Sequence, residues 1–235
     1  MPNRYSKQTR LLAAVDCIIF GFDGAEVKVL LVKRAIEQLK GHWSLMGGFI
    51  QTNESTDAAA TRVLKQLTGL EGVYLEQFNV FGEHDRDPIE RTISIAYFSL
   101  ININKYKQQI SEDYHAEWFD IKNIPALIFD HRLMVDMARK KLQYKAAMHP
   151  VLFELLPPRF TLPQLQSLYE GIYGTSFDKR NFNRKLLSTG LIHKQNEKDM
   201  GSSKKGAFYY KLNMRAYKSN FQVFLNIIPN SHNFK

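Results

Sequence analysis

A chain of 235 residues with 44% hydrophobic and 12% aromatic content can bury real cores, which excludes global disorder and fits one large domain or two smaller ones. A single cysteine excludes an intramolecular disulfide framework, and no stretch approaches the ~20 apolar residues of a membrane span. The net charge of +9 is lopsided, with 19 Lys and Arg against 18 Asp and Glu in residues 1–149 but 13 against 5 in residues 150–235, the balance of a nucleic-acid-binding module or of a solvated basic surface.

The opening "RYSKQTRLLAAVDCIIFGF" puts basic residues before an apolar run, as a signal peptide would, but Asp16 interrupts the run and no small-residue cleavage site follows. The expectation is a soluble cytoplasmic chain, with Cys17 as a buried small hydrophobe. Next, "AVDCIIFGFDGAEVKVLLVKR" reads as two strands around Asp23-Gly24, a strong hairpin signal. "GHWSLMGGFI" places a glycine pair before another short strand. Thr56 to Leu67 has Ala-rich helical composition, with Gly69 as its C-cap. "TISIAYFSLIN" and "AEWFDI" are further strands, rich in β-branched and aromatic residues. "FDHRLMVDMARKKLQYKAA" is a long helix, with Asp130 suited to the N-cap and an apolar stripe of Leu133, Met134, Met137, Ala138 and Leu142. Strands wrapped around helices predict an α+β domain over 1–148, an α/β/α sandwich with a mixed sheet.

After Pro150 the texture changes. Three short helical segments are separated by Pro157-Pro158 and Gly174, and the strands "LIHKQ" and "AFYYKL" flank the polar loop "NEKDMGSSKKG". Three helices followed by a β-hairpin is the order of a winged helix-turn-helix, here over 149–235. On the segment "SFDKRNFNRKLL", Phe182 and Leu186 face inward, with Phe177 and Leu187 nearby. Lys179 with Asn183, and Arg180 with Arg184, form outward i,i+4 pairs. Arg can grip guanine and Asn adenine, while Lys meets phosphates. Lys179, Arg180, Asn181, Asn183, Arg184 and Lys185 therefore form the candidate reading face, with Lys198, Lys204 and Lys205 on the wing. A solvated basic face is the alternative. Duplex DNA is the expected partner, as a symmetric homodimer on two half-sites, with the aromatic run "YKSNFQVFLNII" as one dimer contact or as packing on its own domain.

One stretch of the first domain has the punctuation of a metal site. Gly48 is followed six positions later by Glu54, eight later by Arg62 and seven later by Gly69. Carboxylates at 63, 66 and 67 would converge on one helix face and could hold Mg²⁺ against a diphosphate. The chain has Val63, Gln66 and Leu67 there. Val and Leu cannot coordinate a cation, and Gln is a weak neutral ligand. No catalytic residue, metal or cofactor is expected, and Glu54 with Arg62 reads as a structural ion pair. A hydrolase using Glu54, Glu83 and Asp87 as unusual ligands is the enzyme alternative. Docking of RNA or protein on the basic domain is a further one.

The spacing resembles a degenerate Nudix box, with Gly48, Glu54, Arg62, Leu64, Gly69 and Leu70 matching. Together with "HWSLMGGFI", "FNVFGEHDRDPIERTISIAYFSL", "AEWFDIKNIPALIFDH" and "FDKRNFNRKLLSTGLI", it makes residues 10–220 resemble the Nudix-related transcriptional regulators. That resemblance implies a catalytically silent Nudix domain that senses a small molecule and a winged helix that binds DNA. The effector in such proteins is ADP-ribose or a sugar. The sequence looks most like the sugar-responsive branch, the arabinose-responsive repressors of gut bacteria, which implies L-arabinose here, with ADP-ribose as the alternative. By analogy with the Nudix substrate site, the resemblance puts Asp16, Lys33, Arg34, Trp43, Glu83, His84, Arg86, Asp87 and Tyr97 around the effector. Asp16, Trp43 and Tyr97 have core packing as their alternative, and "GEHDRDP" a solvated turn.

Overall fold

The computed structural model describes residues 7–34, 39–110, 115–149, 151–201 and 206–219. Strands β1 (Leu12–Phe22) and β2 (Val27–Lys33) form the expected hairpin. Gly24 takes φ +105°, which an L side chain resists, and the Asp23 carboxylate accepts the Ala25 and Glu26 N–H groups to close the turn. From Ala14 onward β1 is buried on both faces, so it is a central strand and not the half-wet strand of a simple alternation. One edge of β1 pairs in parallel with β6 (Thr92–Asn102) along its full length. The other edge is divided, pairing Ala14–Cys17 with β4 (Met46–Phe49) and Ile19–Phe22 with β2, both antiparallel. Strand β3 (Trp43–Ser44) and β7 (Ala116–Asp120) pair with β2, and β5 (Glu76–Phe81) pairs with β6, completing a mixed seven-stranded sheet. Strand β5 is absent from the sequence expectation because its residues are mostly half-exposed and alternate poorly.

Helix α1 (Thr56–Thr68) starts where Ser55 Oγ accepts the Ala58 N–H and ends at Gly69, φ +78°. It lays Ala59, Ala60, Val63 and Leu64 on Val15, Cys17 and Ile19. Cys17 is fully buried and burial pushes its thiol well up, so it is the inert hydrophobe expected. The other face takes Ile18, Phe20 and Phe22 against α3 (His131–Met148), giving the helix, sheet, helix layering expected. Four-residue α2 (Ile103–Tyr106) continues β6. The buried stripe of α3 is Met134, Val135, Ala138, Leu142 and Ala146. Leu133 stands 54% exposed, about a hundred degrees off that face, which corrects the predicted stripe.

The first of the three expected C-terminal helices is only a 3₁₀ turn, Val151–Leu155, leading into β8 (Phe160–Thr161). Helix α4 (Leu162–Tyr173) opens with a reciprocal Thr161–Gln164 capping box and ends at Gly174, φ +70°. Helix α5 (Lys179–Ser188) is capped by Asp178. Strands β9 (Ile192–Asp199) and β10 (Ala207–Leu212) form the wing hairpin, with β8 as third strand, and α6 (Met214–Ser219) follows. Strand β9 runs through Asp199, so Lys198 lies on the strand and not in the loop. Lys204, Lys205 and the aromatic run from residue 220 onward lie outside the described residues. The winged helix core of Leu165, Leu168, Tyr169, Phe182 and Leu186 is continuous with the α3 face of the sheet.

Candidate functional site

The glycine pair lies inside β4, not before it, and sterics explain why. A Cβ on Gly47 would lie 2.2 Å from Asp16 Oδ1, while one on Gly48 would lie 2.8 Å from Val63 Cγ2 on the opposite face. Asp16, on the cavity face of β1, accepts from Ser94 Oγ at 2.6 Å. Its carboxylate is 3.7 Å from Arg86 Nη2 and 3.6 Å from His131 Nε2. Arg86 Nε and Nη2 donate to Asp130 at 2.9 and 2.8 Å, a two-pronged pair. His131 Nδ1 accepts the Leu45 N–H at 3.0 Å, which assigns the ring proton to Nε2, facing Asp16. Burial pushes the imidazole below its ordinary value, against the opposing pull of Asp16, so His131 is neutral near pH 7. Burial also lowers the Arg34 guanidinium, opposed by Asp16 and Asp87, and its Nε is buried without a hydrogen-bond partner among the described residues.

Asp16, Arg34, Arg86 and His131 line a cavity of about 420 Å³ with Phe129 on one wall and Leu39, Phe49 and Ile89 around it. Phe129 has φ +49°, a left-handed conformation that costs a bulky residue about 1–3 kcal/mol and is sustained only where its surroundings hold it. Its ring meets His131 edge-on at 6.0 Å. Phe49 and Ile89 are each 56% exposed, so the rim offers flat apolar surface beside buried charge.

Of the residues expected here, Asp16, Arg34, Arg86 and Asp87 come together. The others do not. Lys33, next to Arg34 on extended chain, faces the other way, with Nζ 5.1 Å above the Trp43 ring, and Trp43 packs edge-on against Phe119. Tyr97 is on the α1 face of β6, its hydroxyl donating to Asp57. Glu83 and His84 are exposed on the turn and do not line the cavity. Asp130 and His131 were missed because an Asp before a helix reads as a cap. Asp130 makes no side-chain cap bond, and its carboxylate is taken by Arg86 instead. The "FDH" triplet was the available signal.

The degenerate box keeps its frame for structural reasons. Arg62 Nε donates to Glu54 at 2.8 Å and Arg62 Nη2 donates to the Phe49 carbonyl at 3.0 Å, while Glu54 accepts the Gln51 N–H. The Arg62 hydrogen bond leads in holding the Glu54 carboxyl down at about 2. Val63 is buried against Gly48, and Gln66 accepts from Arg62. The donors at 63, 66 and 67 do not fit the hard divalent cation that the Nudix fold ordinarily uses. Among the described residues, no group of three or more His, Cys, Asp or Glu side chains could hold a metal ion.

At the other end, Phe182 and Leu186 anchor α5 while Lys179, Arg180, Asn181, Arg184 and Lys185 are exposed. Arg184 Nη2 donates to Asn181 Oδ1 at 3.0 Å, which steadies the guanidinium at the surface. Asn183 departs from the expected outward face. It is half-buried, with an Oδ1 that is buried and unpartnered among the described residues. Leu187 was expected inside and is 46% exposed, because Phe182 and Leu186 fill the core position. On the wing, Lys194 and Lys198 place their ammoniums 3.6 and 4.6 Å from the Phe208 ring centroid. No helix among the described residues is long and apolar enough to cross a membrane.

Comparison with known proteins agrees with both halves. The NUDIX domain family matches residues 10–138, and the NrtR DNA-binding winged helix domain matches residues 152–212. An ADPR responsive transcriptional repressor of Acinetobacter baylyi is 32% identical over 94% of this chain and 89% of its own length. The crystal structure of Shewanella oneidensis NrtR complexed with a 27mer DNA superposes with TM-score 0.69 at 28% identity, covering 89% of this chain and 96% of that one. The NUDIX domain of the same NrtR complexed with ADP ribose matches with TM-score 0.51 at 26% identity, covering 60% of this chain and 99% of that one. The similarity therefore runs to an ADP-ribose-responsive regulator, which corrects the arabinose-responsive branch expected from sequence. Loss of the box carboxylates bears on cleaving a diphosphate, and binding one intact needs no metal. With a Nudix domain matched over more than half its length and an NrtR-type winged helix behind it, the chain belongs to the Nudix family as a DNA-binding transcriptional regulator with a Nudix effector domain.

Proposed function

We propose that this regulator is a repressor whose effector is ADP-ribose, bound intact in the Asp16–Arg86–His131 cavity, with residues 1–148 as the effector domain and 149–235 as the DNA-binding domain. The observation that carries the reading is the cavity itself. It sets two guanidiniums, one of them with a buried Nε that has no partner among the described residues, beside the buried Asp16 carboxylate and the exposed Phe49 ring. Cations suit a diphosphate, carboxylates suit ribose hydroxyls, and Phe49 or Phe129 offers a face for the base. A lone pentose would leave most of this space and both cations unused. The full-length likeness to an ADPR responsive repressor supports the same choice.

The domain does not hydrolyse its effector, since Val63, Gln66 and Leu67 supply none of the charge that cleavage would require. Two copies bind a two-fold operator, with Arg180 and Arg184 of α5 over base edges and the wing lysines on phosphate. Calorimetry of the full chain against ADP-ribose and L-arabinose tests the effector. The reading requires a one-to-one isotherm with ADP-ribose, weakened at least tenfold in Arg34→Gln. Heat from arabinose alone, or an unchanged affinity in the variant, would sink it.

A further inference from the structure

Helix α3 touches both sites. At its start His131 lines the cavity and Asp130 holds the cavity's Arg86. Two turns on, or about 12 Å along the axis, it grips the winged helix. Arg139 Nε donates to the Ile172 carbonyl at 2.8 Å and Nη2 to the Gly171 carbonyl at 2.8 Å. Gln143 Nε2 donates to the same Ile172 carbonyl at 2.9 Å, and the Tyr173 hydroxyl donates back to the Gln143 carbonyl at 2.7 Å. These are end carbonyls of α4, which have no partner within that helix and carry its negative dipole end, so a half-buried cation is well placed on them.

The end of α4 is in turn fastened to α5. A Cβ on Gly171 would lie 2.5 Å from Val27 Cγ2, and one on Gly174 would lie 2.6 Å from Arg139 Nη2, so no side chain loosens the contact. Glu170 Oε1 accepts the Phe177 N–H at 2.8 Å and Gln166 Nε2 donates to the Phe177 carbonyl at 2.9 Å, tying α4 to the turn before Asp178. A shift of α3 therefore has a directed route to the reading helix through hydrogen bonds, alongside the apolar core that α3, α4 and α5 share.

We propose that α3 is the element through which cavity occupancy reaches DNA, and that Arg139 is its positioning residue. The inference rests on the effector reading above. A ligand that draws Arg86 from Asp130, or engages His131, moves the start of α3, and Arg139 carries that movement to α4 and α5. Distance alone does not make coupling, and the two ligands must prefer different settings of α3.

The test measures three quantities on the full chain, for the native protein, Arg139→Lys and Gln143→Leu. They are the calorimetric Kd for ADP-ribose, the operator Kd with and without saturating ADP-ribose, and the thermal midpoint as a folding control. The native ratio of operator Kd values is expected to be tenfold or more. Arg139→Lys keeps the charge but not the fork, so its ratio falls below twofold while its ADP-ribose Kd stays within twofold of native. Gln143→Leu gives an intermediate ratio. A variant that binds ADP-ribose and retains the native ratio overturns the relay. Absence of ADP-ribose binding to the native chain overturns the effector reading instead, and a ligand-free arm still judges the relay. Asp130→Asn, which loosens Arg86 at the start of α3, should change operator Kd at least threefold in the native background and leave it unchanged in the Arg139→Lys background. Equal changes in both backgrounds would remove α3 as the path.

Discussion

The two ends of this molecule reach specificity by opposite means. The effector end collects Asp16 from β1, Arg86 from the turn after β5, and Asp130 with His131 from the start of α3, all held by pairing inside the protein. The DNA end presents exposed side chains of a single helix, α5, anchored by two core residues. Buried convergent groups hold one another, so removing one damages the fold and the site together. Surface groups on a packed helix can be exchanged with the scaffold left standing.

Arg86→Ala should break the contrast most forcefully. It leaves the Asp16 and Asp130 carboxylates without their cation, which costs about 3–5 kcal/mol of folding free energy for a buried pair. Urea titration followed by tryptophan fluorescence checks this, and a loss below about 1 kcal/mol, the ceiling for an exposed pair, would show that water already shields it. Arg184→Ala should leave the urea midpoint unchanged and cost about 1–3 kcal/mol at one operator position. Equal weakening on every sequence would make Arg184 a phosphate contact.

The pH dependence separates the ends further. The native His131 value lies below its unfolded one, so between the two the unfolded chain binds more protons and stability rises with pH. The contribution is complete above about pH 6.5 and declines as pH falls through that window, by at most about 1.4 kcal/mol per pH unit. The neighbours setting that window are Asp16, Arg34, Asp130 and Arg86. Thermal midpoints between pH 7 and mildly acidic buffer should therefore fall more steeply on acidification in the native chain than in His131→Gln. Smallest of all, Lys198→Gln should lower the slope of log operator affinity against log salt by about one, at nearly unchanged sequence preference. A preserved slope would place the wing off the phosphates.

The same contrast governs what could be read in advance. Helix α5 and its anchors Phe182 and Leu186 are set by residues close together in the chain and were legible there, while its Asp178 cap is seen only in the fold. Asn183 was misplaced because helical spacing alone put it outside, whereas packing around Phe182 draws it half inside. The strands and α1 were legible from the Asp23-Gly24 turn and the Gly69 cap. Strand β5 was not, since an edge strand carries a weak pattern. The Asp16–Arg86–His131 cavity was half legible. Analogy named Asp16, Arg34, Arg86 and Asp87, which line it, together with Lys33, Trp43, Glu83, His84 and Tyr97, which the fold places elsewhere. Asp130 was hidden by a second plausible role, because the residue type that caps a helix also pairs with arginine. Only the distance to Arg86, 44 positions away, decides between them.

The Arg34 Nε, buried without a partner among the described residues, has a consequence for what this protein ignores. A buried donor without an acceptor costs about 1–3 kcal/mol whether the cavity is empty or filled by something that cannot reach it. A small molecule lacking a well-placed acceptor inherits that cost, and one bearing such an acceptor relieves it. On the proposed effector reading, metabolites of the right size but the wrong polarity gain nothing at this donor, and the regulator favours its own signal by up to the value of that hydrogen bond.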